Sequence, residues 1–176
     1  MKNILTIGES SHGTHLVELK EIFSRFNNLD KIFLEKSVSY QPFIKEYIEK
    51  QTINKRLEKF FANALKEGND MRSTLLFILD YAREKDIPVI CIDSSKVQTD
   101  EYNKVSAYGR WFLKGESRDE DMFNNFVNNY NKSEKVIIFC GAKHLSEEKH
   151  FRTGTETLGA RLKNKFGDNY EKIILK

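Results

Sequence analysis

Apolar residues in this chain alternate between two rhythms. Five short runs rich in β-branched residues, "NILTIG" (3–8), "DKIFLEK" (30–36), "IPVICID" (87–93), "KVIIFCG" (135–141) and "YEKIILK" (170–176), read as strands. The first four are almost continuously apolar, the pattern of strands covered on both faces of a parallel sheet. Between the runs the apolar positions fall at helical spacing. Leu16, Leu19, Ile22, Phe23 and Phe26 mark one helix, and further helices are expected over 40–51, 53–68, 72–85, 100–115, 117–131 and 153–167. Pro42 and Pro88 fall near element starts, and Gly167 fits a helix stop. Strands alternating with helices predict an α/β fold. The expected architecture is a mostly parallel β-sheet of about five strands flanked by helices, in a single compact domain over 1–176.

Composition narrows the class. The 176 residues suffice for one well-buried core, and 31% charged with 39% hydrophobic residues marks a globular chain rather than a disordered one. The net charge is only +3, and Lys and Glu are interspersed along the helices, so a nucleic-acid partner is not expected. No apolar run reaches membrane-spanning length, and "MKN" leads directly into the first strand without a signal pattern. The expectation is a cytoplasmic protein, or a domain of a larger toxin or effector; oligomeric state is not readable. Cys91 and Cys140 each sit in an apolar run without CxxC spacing, so buried reduced thiols in neighbouring strands are expected.

Ligands of parallel α/β sheets bind outside the carboxyl ends of the strands. Four strand ends here carry ionisable groups: Glu9 followed by Ser10, Ser11 and His12; Glu35; Asp93; and Gly141 followed by Lys143 and His144. Four such ends on one rim argue for an active site. The loop "GESSHG" lacks the glycine spacing and lysine of a phosphate loop and the G-x-S-x-G of a nucleophile elbow. Ser11 suits a helix cap or a substrate contact. His12, at a helix N-terminus, is kept neutral by the helix dipole and is suited to act as a base, with Glu9 or Glu35 to orient it; a hydrogen-bonded structural histidine is the alternative. Glu35 ends an apolar strand and needs a partner, for which Arg118 is the candidate; a surface pair of Arg118 with Asp119 or Asp121 is the plainer alternative. His144 can approach His12 if the first and fourth strands are neighbours. Asp93 and Lys143 are further substrate-binding candidates. His15 is expected to face solvent, with the His12 pocket as the alternative, and His150 is expected in solvent.

The order of these motifs resembles the erythromycin esterase family. "IGESSHGTHLVELKEIF" resembles its first GE-x-x-HG loop, and "KIFLEKSVSYQPFIKEYI" its strand ending in glutamate. "IPVICID" resembles its strand ending in aspartate. Arg118, Asp119, Met122 and Asn125 match an R-D-x-x-M-x-x-N helix, and Gly159, Leu162, Gly167 and Tyr170 match the closing segment. Where the esterases carry an earlier histidine on the late strand, this chain has Gly141. "FCGAKHL" is closer to the G-x-x-H ending of the wider superfamily of Tiki proteases, TraB-type proteins, haem-uptake ChaN proteins and some toxin domains. The resemblance implies hydrolysis of an ester or amide in a small molecule or peptide. His12 would be the general base that activates water, with Glu9, Glu35 and Arg118 holding the pocket and His144 assisting. No cofactor is expected on this reading. The superfamily also admits a divalent metal on Glu9, His12, Glu35 and His144 as in a Tiki-like protease, or a haem-binding module without activity.

Overall fold

The computed structural model describes residues 2–10, 15–26, 28–66, 71–94, 118–149 and 154–175. The expected helix over 100–115, together with Ser11, His12 and His150, lies outside them. Five strands, β1 (Ile4–Glu9), β2 (Lys31–Ser37), β3 (Val89–Asp93), β4 (Val136–Gly141) and β5 (Tyr170–Leu175), form one sheet in the order β3-β2-β4-β1-β5. Every pairing is parallel, so the sheet is more uniform than expected.

Among the described residues six α-helices flank the sheet. The first four, α1 (Leu16–Arg25), α2 (Gln41–Lys50), α3 (Lys55–Lys66) and α4 (Met71–Glu84), cover one face. There Leu19, Phe23, Ile44, Leu57, Ile78 and Leu79 pack on Leu5, Ile7, Leu34 and Ile137. The last two, α5 (Arg118–Asn129) and α6 (Leu158–Phe166), cover the other. There Met122, Phe126, Leu158 and Leu162 pack on Ile4, Phe33, Ile138 and Cys140. Successive strand residues serve opposite cores, which explains the nearly continuous apolar runs within the sheet. Chain order and sheet order diverge at β4, which lies between β1 and β2 but feeds the opposite helical layer. In open α/β sheets a reversal of this kind places the ligand crevice outside the carboxyl ends of the strands, here those of β1, β2 and β4.

Two sequence expectations need correction. The last helix starts at Leu158 rather than further upstream, because Thr157 caps it by accepting from the Ala160 amide, while residues 154–157 are non-helical. Gly159 sits in its first turn against the Leu145 carbonyl, where a Cβ would come within 2.7 Å of backbone. The two cysteines are buried and free as expected. They are not in neighbouring strands, since β2 separates β3 from β4, and they point into opposite cores.

The outer edge of β3 is closed by a side chain. Gln41 donates from Nε2 to the Val89 carbonyl (2.8 Å) and accepts at Oε1 from the Cys91 amide (2.7 Å). One amide group thus takes the place of a sixth strand along that stretch. Gln41→Ala leaves both backbone groups without these partners, at a cost of about 1–3 kcal/mol. Urea unfolding should show a lower midpoint with an unchanged slope; an unchanged midpoint would refute this role for Gln41.

Candidate active site

Helix α5 brings a complete polar face to the rim. Residues 118, 122 and 125 share one side of the helix at this spacing, with 119 and 122 neighbours on its flank. Met122 is fully buried in the core beneath, and the other three reach strand ends. Asn125 donates to the Ile92 carbonyl (2.9 Å). That carbonyl lies where the β2–β3 register slips: Leu34 pairs with Cys91, but Ser37 pairs with Asp93. Glu35 and Lys36 therefore both oppose Ile92, as in a β-bulge, a device that re-aims side chains beside sites.

Arg118 joins two strand ends. Its Nε and Nη2 donate to both oxygens of Asp93 (2.8 and 2.5 Å), and Nη2 also donates to Glu35 Oε1 (2.6 Å). The plainer expectation, a surface pair with Asp119 or Asp121, is not what forms. Asp119 instead accepts from His144 Nδ1 at 2.6 Å, and His144 Nε2 lies 3.3 Å from Glu35 Oε1. Glu35 Oε2 accepts from the Gly141 amide (2.5 Å). A continuous chain Asp93–Arg118–Glu35–His144–Asp119 thus crosses the ends of β3, β2 and β4. Asp93, Asp119 and His144 are all buried.

The energetics follow from burial and pairing. Burial alone would push the Glu35 carboxyl up, but His144, Arg118 and the Gly141 amide outweigh it and hold Glu35 well below the usual range. Burial likewise opposes a charged His144, yet Glu35 and Asp119 raise it to about 10. His144 is therefore an imidazolium at neutral pH, with both ring nitrogens donating. It can stabilise negative charge or supply a proton, but it cannot act as a base there. At Gly141 an added Cβ would stand 3.3 Å from Glu35 Oε2, a tight contact to which the carboxylate would have to yield by a few tenths of an ångström.

The sequence-derived candidates divide as follows. Glu35, Arg118 and His144 meet directly, with Asp93 clamping Arg118 and also accepting from the Ser94 amide (2.8 Å). Glu9 is buried at the end of β1, in register with Gly141. Lys143 lies on a single 3-10 turn after β4 and is exposed. Ser11 and His12 follow β1 and lie outside the described residues. His15, expected in solvent, is buried, because it holds the N-cap position where α1 meets the sheet. Asp119 and the Gly141 amide were not anticipated as partners of His144 and Glu35. The adjacent Arg-Asp pair opening a helix was the available signal, since consecutive helical residues diverge and can serve two partners.

A divalent metal is not favoured by this donor set. Both Glu35 oxygens are engaged, one of them by a guanidinium and an imidazolium, whose charges repel a cation. Among the described residues no group of three His, Cys, Asp or Glu side chains is placed to hold a metal ion. Nor does either thiol offer a nucleophile: burial raises Cys91 to about 12 and Cys140 well above the ordinary thiol value.

No family model matches the sequence, and no curated protein matches it. The fold, however, is similar to that of solved structures that include an esterase and toxin domains. A mutant of the erythromycin esterase EreC in its open conformation superposes with a TM-score of 0.64 at 13% identity, covering 98% of this chain and 69% of that one. RRSP, a MARTX toxin effector domain from Vibrio vulnificus, gives 0.60 at 16% identity, covering 99% and 33%. The structure reporting a thiol-protease-like catalytic triad in the C-terminal region of Pasteurella multocida toxin gives 0.65 at 15%, covering 99% and 23%. The chain thus spans about two thirds of the esterase and a third or less of the toxin chains. Among the described residues no helix is long and apolar enough to cross a membrane.

Proposed function

We propose that this chain hydrolyses an ester or amide bond with water activated by His12. The observation that carries the reading is the buried network at the ends of β2, β3 and β4, set beside the end of β1 from which the His12 loop departs. In this reading His12 takes a proton from water as the water attacks the carbonyl carbon. His144, fixed as a cation, and Arg118 stabilise the negative charge that develops on the carbonyl oxygen. The proton then passes to the leaving oxygen or nitrogen as the bond breaks. No covalent enzyme intermediate is involved, which agrees with the two protonated thiols. The likeness to an esterase and to toxin domains supports hydrolytic chemistry, and the small share of the toxin chains that is covered supports the alternative setting within a larger effector.

A panel of small esters and short peptides tests the proposal. His12→Ala should lower the hydrolysis rate of any responsive substrate by about 10²–10⁴-fold while leaving the melting temperature within a few degrees. An unchanged rate would remove His12 from the mechanism.

A further inference from the structure

The described rim carries four cations, and three are accounted for. Arg118 is clamped by Asp93 and Glu35, and His144 by Glu35 and Asp119. Lys143 is exposed on its turn. Lys36 is different. It is the second residue of the bulge, next to Glu35, and is half-buried at the end of β2. Its Nζ lies 4.7 Å from the centre of the Phe60 ring. Among the described residues no carboxylate stands within 4 Å of it. Phe60 is in turn packed edge-on against Tyr40, with ring centres 5.7 Å apart.

A ring face steadies an ammonium but accepts no conventional hydrogen bond, so three N–H donors are left for another acceptor. Burial disfavours this charge and lowers the Lys36 pKa, and the Glu35 and Asp93 charges only partly restore it. An oxyanion arriving from the crevice would supply both the missing acceptor and the missing counter-charge.

We propose that Lys36 is the substrate-anchoring cation of this site, taking a carboxylate or phosphate group of the substrate beside the face of Phe60. The inference deepens the hydrolytic reading above and rests on it: the substrate class becomes an anionic ester or peptide, oriented by its negative group at Lys36 while its scissile carbonyl lies towards Arg118 and His144.

The test is binding, not turnover. Side-chain NMR of Lys36 in the whole chain is followed while inorganic phosphate or succinate is added, separating the phosphate source from the carboxylate source. The Lys36 resonance should move saturably with at least one of the two, and Lys36→Met should weaken that anion's affinity, read by calorimetry, by tenfold or more, with Lys36→Arg retaining most of it. No saturable response at Lys36 in the wild-type protein with either anion overturns the proposal, whether or not the variants fold. So does equal affinity in Lys36→Met. Because no hydrolysis is measured, this outcome is independent of the His12→Ala result: loss of anion binding with His12-dependent hydrolysis intact removes only the Lys36 assignment.

Discussion

Replacing Arg118 with methionine is expected to destabilise the fold by about 3–5 kcal/mol, the usual cost of removing one partner from a buried ion pair. The reason is what it leaves behind. Asp93 is almost fully buried and both of its oxygens face the guanidinium; Glu35 shares the same nitrogen. Methionine keeps much of the side-chain volume, so the loss reads out charge pairing rather than a cavity. In a chain of this size the melting temperature should fall by roughly 2–4 °C per kcal/mol. A drop of under about 2 °C, less than one kcal/mol on that scale, would mean that Asp93 and Glu35 find other partners. The double variant Arg118→Met with Asp93→Asn should recover part of the loss, since the orphaned charge is then gone.

Stability should also depend on pH in a direction fixed by His144 and Glu35. His144 has its folded value raised from about 6.5 to about 10. Its contribution is therefore complete below pH 6.5 and is lost as pH rises from there towards 10. Glu35 is lowered well below 4.5, so its contribution is complete above that value and is lost as pH falls through the lowered one. Together they place the stability maximum between about pH 4.5 and 6.5. At roughly 1.4 kcal/mol for each pH unit between the unfolded and folded values, the alkaline decline amounts to a few kcal/mol. Urea titrations from about pH 6 to 9.5 should show it in the wild-type chain and show little of it in His144→Asn. A wild-type curve that stays flat across that range would contradict an imidazolium at position 144.

Much of the fold was legible because its signal is local. A run such as "KVIIFCG" declares a doubly covered strand by itself, and the alternation of such runs with helical spacing leaves few architectures open. The order of the strands was not legible, since insertion of β4 between β1 and β2 is decided by long-range packing. The expected adjacency of Cys91 and Cys140 failed for that reason. The rim was legible as a set of strand ends carrying Glu35, Asp93 and His144. Its wiring was only half legible. Arg118 was paired with Glu35 from the demand of a buried carboxylate for a partner, whereas the link from Asp119 to His144 needs the direction of one helix relative to one turn. Lys36 was not legible, because a lysine after a glutamate reads as an ordinary solvated pair until a bulge places both opposite Ile92.

The placement of β4 bears on how the chain is made. β1 pairs only with β4 and β5, so Ile4 finds its neighbours at Val136 and Tyr170. During synthesis the first strand emerges, and its own sequence-neighbour β2 is no partner for it. Until Val136 has left the ribosome, β1 has both backbone edges open. Long-range closures of this kind are slow and leave apolar edges exposed while they wait. The rim that holds Glu35, Arg118 and His144 is therefore among the last parts of this fold to form, and a nascent chain carries no assembled network until β4 and the turn behind it are in place.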